Sequence, residues 1–410
     1  MHDRFAPTPP PAPVAGRAYL ATPGPSVMPD RVLAAMHRAA PDIYAGEIID
    51  LVARIKDDLR DVAGTQAGVA CYIGNGHAAW EAANANLFSR GDRALVLATG
   101  HFGHGWARSA SAMGVAVEVL DFGLHAPVDP GRLEAALRAD PAGTIRAVLL
   151  TQVDTATSVK NDIAVVRQAM DAAGHPALLV VDAIASFACD TYRMDASGVD
   201  VTVAACQKGL MTPPGLGFLW VSDKAIAACA KSDLRTPYWD WTPRIFGTEL
   251  WQHFCGTAPT HHLFGLAEAL TMILREEGLP AVWARHERLA RAVWAAFDAW
   301  GQGHPAIALN VPDPAARGWS VTAARIGAPD ARRLREWTET QGGVTLGIGL
   351  GMGTPADPGA DGFLRLAHMG HVNAHMTLGA LAVMQAGMVA LGIAHAAGGL
   401  DAAARVVAGG

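Results

Sequence analysis

The stretch Ala177–Gly217, ALLVVDAIASFACDTYRMDASGVDVTVAACQKGLMTPPGLG, ends two apolar runs on polar residues. The run Leu178–Val181 leads directly into Asp182, and the run Val199–Ala204 is followed closely by Lys208. Short β-branched runs bounded by turn residues are typical of buried strands. Ligands bind at the carboxyl ends of strands in open α/β sheets. We therefore expect Asp182 and Lys208 to lie close together at such an edge.

Similar apolar runs recur on both sides of this stretch and alternate with Ala-rich segments of helical periodicity. This alternation indicates βαβ units on a mostly parallel sheet flanked by helices. Seven strands are predicted: Gly68–Ile73, Arg93–Ala98, Val115–Leu120, Ala147–Thr151, Ala177–Val181, Val199–Ala204 and Gly217–Val221. The predicted helices between them are His77–Leu87, His104–Ser111, Pro130–Arg138 and Ala164–Ala173.

The character of the chain changes in its last third. A long Arg-rich amphipathic helix is predicted at Leu279–Trp300, followed by a strand near Trp319–Arg325 and a helix at Ala331–Gln341. The apolar stretch Leu378–Ile393 is too short for a membrane span and is expected to be a buried helix. We predict a flexible N-terminal arm at residues 1–20, a large α/β domain at 21–278 and a small C-terminal α+β domain at 279–410.

Composition excludes several classes of protein. The 410 residues include 32 Lys plus Arg and 38 Asp plus Glu, a formal charge of −6, and no long basic run. We therefore expect no nucleic-acid partner. The five cysteines are scattered, without a CxxC pair, so neither a metal site nor a disulfide framework is expected. With no signal-peptide pattern at the N-terminus and no membrane-length run, the chain is expected to be cytoplasmic.

The chemistry of the two strand-end residues is informative. A buried carboxylate at Asp182 is costly unless a cation pairs with it. Lys208 is one of only five lysines, and its neighbours Cys206, Met211 and Pro213 are apolar. Such surroundings disfavour the ammonium form, as an amine that forms a Schiff base requires. Taken singly, Asp182 could be a turn or helix-cap residue and Lys208 an exposed lysine.

The turn Gly74–His77 is a candidate phosphate site. It follows a predicted strand and opens the helix that begins at His77. Backbone N–H groups and the positive end of the helix dipole would point at a bound anion. Turns of this kind are common, so the motif alone is weak.

An ordered set of motifs resembles the class V aminotransferases of PLP fold type I, most closely the alanine–glyoxylate and serine–glyoxylate (serine–pyruvate) group. The motifs are Thr22-Pro23-Gly24-Pro25, Gly74-Asn75-Gly76-His77, Thr151–Val159, Asp182 with Ser186, Gln207-Lys208, Pro213-Pro214-Gly215 and Arg365-Leu366-Ala367-His368-Met369-Gly370. The resemblance runs from about Thr22 to Ile393. It implies the cofactor pyridoxal 5′-phosphate and a large, mostly parallel seven-stranded sheet with a smaller C-terminal α+β domain.

The resemblance also implies roles for individual residues. Lys208 would hold the cofactor as a Schiff base and move a proton during transamination, and Asp182 would hold the cofactor's ring nitrogen. Arg365 would bind the substrate carboxylate. Phe102 and Ile184 would flank the cofactor ring, and Thr155 would lie near its phenolic oxygen. The implied phosphate-binding residues are Asn75, Gly76, His77, Gln207 and, from the neighbouring subunit of a homodimer, Thr257.

Ordinary structural roles remain open for some of these residues. Phe102 could be a core aromatic, His77 a helix-start residue without a ligand, and Arg365 the partner of an interdomain acid. The sequence also departs from the family at Phe254, where a tyrosine is frequent, and at Ala156-Thr157-Ser158 in place of Ser-Thr-Gly. The aromatic segment Tyr238–Arg244 could line the substrate entrance or be a packed surface loop.

The leading functional hypothesis is transfer of an amino group from a small amino acid, such as serine or alanine, to a 2-oxo acid such as glyoxylate or pyruvate. The alternatives are a pyridoxamine–pyruvate type of aminotransferase, a lyase or decarboxylase that uses the same cofactor and fold, and a non-catalytic binding protein. Fold and cofactor do not fix the reaction.

Overall fold

The computed structural model describes residues 16–230, 232–353 and 358–409. Most of the predicted N-terminal arm lies outside the described residues. The described chain forms two sheets, which we call the large sheet and the small sheet.

The large sheet has seven strands. They are β2 (Gly68–Gly74), β3 (Arg93–Ala98), β4 (Ala116–Asp121), β5 (Ile145–Thr151), β6 (Leu178–Asp182), β7 (Val201–Ala205) and β8 (Gly215–Val221). Their spatial order is β2-β8-β7-β6-β5-β3-β4, and only β8 runs antiparallel to its neighbours. The prediction of a mostly parallel seven-stranded sheet is confirmed, and every predicted strand end lies within two residues of the observed one.

Helices cover both faces of the large sheet. They are α1 (Asp30–Met36), α2 (Glu47–Ala63), α3 (Gly76–Leu87), α4 (His101–Ala112), α5 (Pro130–Arg138), α6 (Ile163–Ala173), α7 (Asp223–Ala228), α8 (Trp241–Phe246), α9 (Leu250–Phe254) and α10 (Thr260–Thr271), which continues as a π-helix over Met272–Glu277. Alternate residues of one strand pack into different cores: Leu95 and Leu97 into one, Ala94 and Val96 into the other. Because successive side chains of a strand point to opposite faces, a sheet covered on both faces needs apolar residues throughout.

The small sheet has the order β1-β11-β12-β10-β9. Its strands are β1 (Tyr19–Ala21), β9 (Ala308–Leu309), β10 (Val321–Arg325), β11 (Val344–Ile348) and β12 (Phe363–Ala367). It is accompanied by α11 (Leu279–Trp300), α12 (Asp330–Gly342), α13 (Ala374–Leu391), α14 (Gly399–Val407) and two short 3₁₀ helices, Pro314–Ala316 and Pro358–Gly362. Strand β1 pairs in parallel with β11, so the small sheet takes a strand from the beginning of the chain. The predicted domain limits stay a prediction.

Helix α13 covers most of the stretch expected to be a buried helix. It is the one helix in the described part of the chain that is long and apolar enough to cross a membrane by length and composition alone, and 33% of that window is buried. Leu381, Met384 and Met388 pack into the core beneath the small sheet. The opposite face is exposed, with Val389 at 68%. Burial of this helix is therefore one-sided, so the expectation of a buried helix holds for one face only.

The topology brings several chain segments to one edge of the large sheet. Strands β2, β6 and β7 run in the same direction, because β8 is antiparallel to both β2 and β7. Strand β6 ends on Asp182, and Lys208 follows the end of β7. The segment after β1 approaches this loop, since the Ser26 hydroxyl donates to the carbonyl of Lys208 at 2.7 Å.

Candidate active site

A cavity of about 620 Å³ opens at this edge, with walls from both sheets. Every predicted site residue except Thr257 lines it: Asn75, Gly76, His77, Phe102, Thr155, Asp182, Ile184, Gln207, Lys208 and Arg365. The two strand-end residues therefore share one cavity with the turn before α3 and with an arginine of the small sheet.

Lys208 is held on the loop between β7 and β8. Its side chain is only 8% exposed, and Nζ donates to the carbonyl of Pro23. The backbone of the same loop is fixed by Ser26, whose N–H donates to the carbonyl of Gln207 at 2.9 Å. Burial, and then the positive charge of Arg365, lower the pKa of Lys208 to about 8. A much larger share of this amine than of an ordinary lysine is therefore uncharged near neutral pH, as a nucleophilic lysine requires.

Asp182 is a buried carboxylate bound only by neutral donors. Its Oδ1 accepts from the N–H of Ile184 at 2.7 Å, and its Oδ2 accepts from the indole N–H of Trp80 at 2.9 Å. Burial raises the pKa of Asp182 to about 7, although both hydrogen bonds act to lower it. Within residues 16–230, 232–353 and 358–409 no cation forms an ion pair with this carboxylate. A cationic ligand in the cavity would therefore favour the ionised form of this carboxylate.

Trp80 is a site residue that the sequence analysis did not single out. It lies one helical turn into α3, lines the cavity and stacks on Trp106 with an interplanar angle of 6°. The ring of Phe102 meets its ring edge-on at 6.3 Å between centroids. The sequence feature that could have indicated Trp80 is its position shortly after the candidate phosphate-binding turn. Its contact with Asp182 could not be predicted, because it depends on how α3 packs against β6.

Asp154 is a second residue that the sequence analysis did not assign to the site. It is completely buried and accepts hydrogen bonds from the N–H groups of Phe102 at 2.8 Å and Ala156 at 2.9 Å. These bonds tie the start of α4 to the loop that carries Thr155. Asp154 therefore fixes the position of Phe102 in the cavity wall.

The turn before α3 differs in detail from the expected arrangement. The side chain of Asn75 caps the helix by accepting from the N–H groups of His77 at 3.0 Å and Ala78 at 3.3 Å. The amide of His77, which was expected to face a phosphate, is therefore used inside the chain, as is the next amide, of Ala78. Gly76 keeps its amide outside this cap, and the Oε1 of Gln207 is buried without a hydrogen-bond partner. The amide of Gly76 and the side-chain amide of Gln207 can therefore form hydrogen bonds with a ligand at this end of the cavity.

Arg365 lies on β12 and is 6% exposed. Its Nε donates to the carbonyl of Ile348 at 2.7 Å and its Nη1 to the carbonyl of Thr155 at 2.9 Å. No carboxylate pairs with it in the part of the chain that the structure describes, so it has no interdomain acid as a partner among those residues. A guanidinium held by carbonyl groups keeps its charge available for a carboxylate ligand.

Two sequence features lie away from the cavity. Phe254 is 1% exposed and packs in the main core. The segment Tyr238–Arg244 is packed, and its second half is the start of α8: Trp241 is buried, and the buried Arg244 donates to the carbonyls of Tyr238 at 2.6 Å and Cys71 at 2.7 Å. Of the two interpretations of this aromatic segment, the packed one is observed, although half of the segment is helical and not loop.

Comparison with protein families decides the classification. The model of the family "Aminotransferase class-V" matches residues 18–350, which include the cavity residues up to Ile348. The chain belongs to the class V aminotransferases. The resemblance and the enzyme class predicted from the motifs are thereby confirmed.

Characterised relatives of this class V aminotransferase are similar over most of their length. It is 34% identical to the serine–glyoxylate aminotransferase of Methylorubrum extorquens over 387 residues, covering 92% of each chain. It is 36% identical to the L-aspartate–glyoxylate aminotransferase of Paracoccus denitrificans over 330 residues, covering 80% of each. Among solved structures, the pyridoxamine–pyruvate aminotransferase of Mesorhizobium loti has a TM-score of 0.85 at 25% identity, covering 97% of this chain and 99% of that one. The predicted fold, PLP fold type I, is confirmed.

Proposed function

We propose that this class V aminotransferase uses pyridoxal 5′-phosphate to move an amino group from a small amino acid, such as serine or alanine, to a 2-oxo acid such as glyoxylate or pyruvate. The observation that carries the proposal is one cavity that combines the partly uncharged amine of Lys208, the carboxylate of Asp182 and the guanidinium of Arg365. The serine–glyoxylate aminotransferases among its relatives support this choice of substrates.

The residues of the cavity fit the cofactor. Asp182 is buried with neutral donors only, so a protonated ring nitrogen would supply the cation that this carboxylate lacks. The unpartnered Oε1 of Gln207 marks an amide that can turn its N–H₂ group toward a phosphate. The N-terminus of α3 and the amide of Gly76 would add the helix dipole and a donor. Phe102 and Ile184 would flank the ring.

Each polar residue then has one task in the reaction. The bound cofactor supplies an electron sink for the carbon that loses its proton. Lys208 would hold the cofactor through Nζ and, once displaced by the donor's amino group, accept the proton from the donor's Cα. Asp182 would keep the ring nitrogen protonated, and Arg365 would orient the donor carboxylate. Thr155, next to Arg365, would lie at the phenolic oxygen.

The proposal includes a homodimer. Thr257 is exposed and lies outside the cavity of its own chain, so a contact with phosphate requires it to come from a partner subunit. Just before it in the chain, Phe246 is 60% and Trp251 is 52% exposed on α8 and α9. Exposed large apolar side chains of this kind are typical of protein interfaces. Sedimentation equilibrium should give twice the mass of the chain.

A pyridoxamine–pyruvate reaction is the second candidate, because a pyridoxamine–pyruvate aminotransferase is similar in structure. The turn at Gly74–His77 disfavours the pyridoxamine–pyruvate reaction. Asn75 provides a neutral helix cap there and Gly76 an amide donor, and such groups suit a phosphate, which pyridoxamine lacks.

One experiment separates the candidate reactions. Purified protein saturated with cofactor is mixed with L-alanine, L-serine or pyridoxamine, without a 2-oxo acid. The proposal predicts that either amino acid converts the cofactor once, to the amino form, and that glyoxylate or pyruvate then restores it. Continuous product formation from the amino acid alone would indicate a lyase or decarboxylase. Formation of pyridoxal and alanine from pyridoxamine and pyruvate, in a parallel sample without added cofactor, would favour the second candidate.

Gly24 is predicted to be essential for the position of Lys208. Gly24 has φ +110°, and a Cβ there would lie 2.7 Å from Cε of Lys208. Because misplacing a reacting group by ~1 Å can cost ~10² in rate, Gly24→Ala is expected to lower the transamination rate by about that factor. Gly91→Ala is the matched control, since Gly91 has φ +88° and no atom within 4 Å of its added Cβ. Equal losses in both variants would show that backbone strain alone is responsible.

The reaction of Lys208 with the cofactor is predicted to depend on pH. The amine must be uncharged to attack the cofactor's aldehyde, so capture by apoprotein should speed up as pH rises and level off above about 8, not 10.5. Arg365→Met removes one of the charges that lower this pKa and should move the midpoint to higher pH. Stopped-flow absorbance measures both profiles with the same cofactor. An unchanged midpoint in Arg365→Met would contradict the inference that the charge of Arg365 lowers the pKa of Lys208.

A further inference from the structure

Two arginines, on a strand and a helix of the small domain, line the part of the cavity where the substrate is proposed to bind. Arg365, on β12, is fixed by two carbonyl groups, and its Nη2 makes no hydrogen bond within the described residues. Arg335, on α12, lines the same cavity. The proposed phosphate-binding groups, Gly76 and Gln207, belong instead to the large sheet's edge and the helix that follows β2. The second arginine is therefore placed with the substrate-binding groups.

Arg335 is unlike its neighbours on α12. Arg332 pairs with Asp361 at 3.7 Å and Arg333 pairs with Asp330 at 2.6 Å. Arg335 forms no ion pair in the described part of the chain, and its Nε is buried without a hydrogen-bond partner. A buried, unpartnered donor on a charged group is costly, and this cost is removed when a ligand supplies an acceptor.

The nearest candidate acceptor on the same helix does not satisfy Arg335. Glu339 lies four residues further on, also lines the cavity and accepts a hydrogen bond from the Thr345 hydroxyl at 3.4 Å. It forms no ion pair with Arg335. The guanidinium of Arg335 thus lines the cavity together with Arg365 and has no ion-pair partner among the described residues.

The charge of Arg335 acts on Arg365. Burial and, to a smaller degree, the positive charge of Arg335 lower the pKa of Arg365 to about 10, against the opposing effect of Asp154. The two guanidinium groups line the same cavity and carry like charges, so they repel each other. A ligand with a single carboxylate neutralises one of them, whereas a ligand with two carboxylates neutralises both.

We propose that Arg335 binds a second carboxylate, on the side chain of the substrate, so that an amino acid with an acidic side chain is the preferred donor. The inference rests on the proposed function, and it narrows the donor from small amino acids in general to dicarboxylic ones. Arg365 would hold the α-carboxylate while Arg335 holds the side-chain carboxylate. Both arginines have the planar donor fork that suits this task.

Donor selectivity tests the proposal. The ratio of kcat/KM for L-aspartate to kcat/KM for L-alanine, with glyoxylate as acceptor, is measured for the wild type, Arg335→Met and Arg335→Lys. The ratio should fall ~10–100-fold in Arg335→Met, because a hydrogen-bonded ion pair to the substrate is lost, and should recover partly in Arg335→Lys. Arg332→Met is the matched control on the same helix and should keep the wild-type ratio. Arg335→Gln replaces Arg335→Met if the latter does not fold.

A binding measurement gives a readout independent of turnover. Succinate should bind to the wild type more tightly than propionate in isothermal titration calorimetry, and Arg335→Met should weaken succinate binding ~10-fold or more. An unchanged donor ratio together with unchanged succinate binding would overturn the inference. If L-alanine reacts in that case, the proposed function stands without it. If no donor converts the cofactor, the proposed function fails, and succinate binding alone then decides the role of Arg335.

Discussion

Lys208→Met is expected to lower the rate of transamination by at least ~10³-fold, because general acid–base and covalent contributions are lost together. Methionine fills a similar volume and removes only the amine. The side chain of Lys208 is enclosed by the loop that carries Pro23 and Ser26, so water is poorly placed to replace Nζ. The measurement is kcat with L-alanine and glyoxylate at saturating cofactor.

Lys224→Met is the matched control for this substitution. Lys224 follows β8, its side chain is 55% exposed, and it pairs with Asp200 outside the cavity. Its replacement should leave kcat unchanged within about twofold, since surface changes cost little. A Lys208→Met protein with more than a tenth of wild-type kcat would exclude Lys208 as the proton-transferring group.

Asp182→Asn is expected to lower the rate by roughly 10²–10⁴-fold, since loss of one partner of a buried ion pair costs about 3–5 kcal/mol. The asparagine oxygen can still accept from Ile184 or Trp80, so the fold should be preserved. What disappears is the negative charge that would keep the cofactor's ring nitrogen protonated. Both kcat and the cofactor dissociation constant report this loss.

Asp200→Asn separates the electrostatic effect from general destabilisation. Asp200 is also buried, at 6% exposure, and accepts from the N–H of Leu179 at 2.8 Å. It precedes β7 and lies at the opposite end of the strand from the cavity. Asp200→Asn should lower stability and leave cofactor affinity unchanged. Equal loss of cofactor affinity in the two variants would refute the specific role of Asp182.

Most strands of the large sheet were predictable because they are apolar runs with sharp polar limits, whereas the edge strand β4 contains Glu118 and is largely exposed. Burial on both faces requires such runs, and Asp182 marks the end of β6 for the same reason. The antiparallel direction of β8 was not predictable, since the run Gly215–Val221 has the same composition in either direction. Nor was the pairing of β1 with β11, which joins residues more than 300 positions apart.

The residues of the site also fall into those that could be predicted from the sequence and those that could not. Lys208, Asp182 and the turn at Gly76 could be placed from the sequence, because strand ends of one sheet converge. The indole bond of Trp80 to Asp182 and the approach of Arg335 to Arg365 depend on how separate elements pack. Neither residue stands out locally: Arg335 is one of three arginines in a polar helix.

The most direct test of the central claim is the identification of the residue that carries the cofactor. The purified protein is incubated with pyridoxal 5′-phosphate, reduced with borohydride, digested and mapped by mass spectrometry. The account predicts a single phosphopyridoxyl group, on Lys208, that is absent from Lys208→Met. A label on another lysine, or none at all, would contradict it.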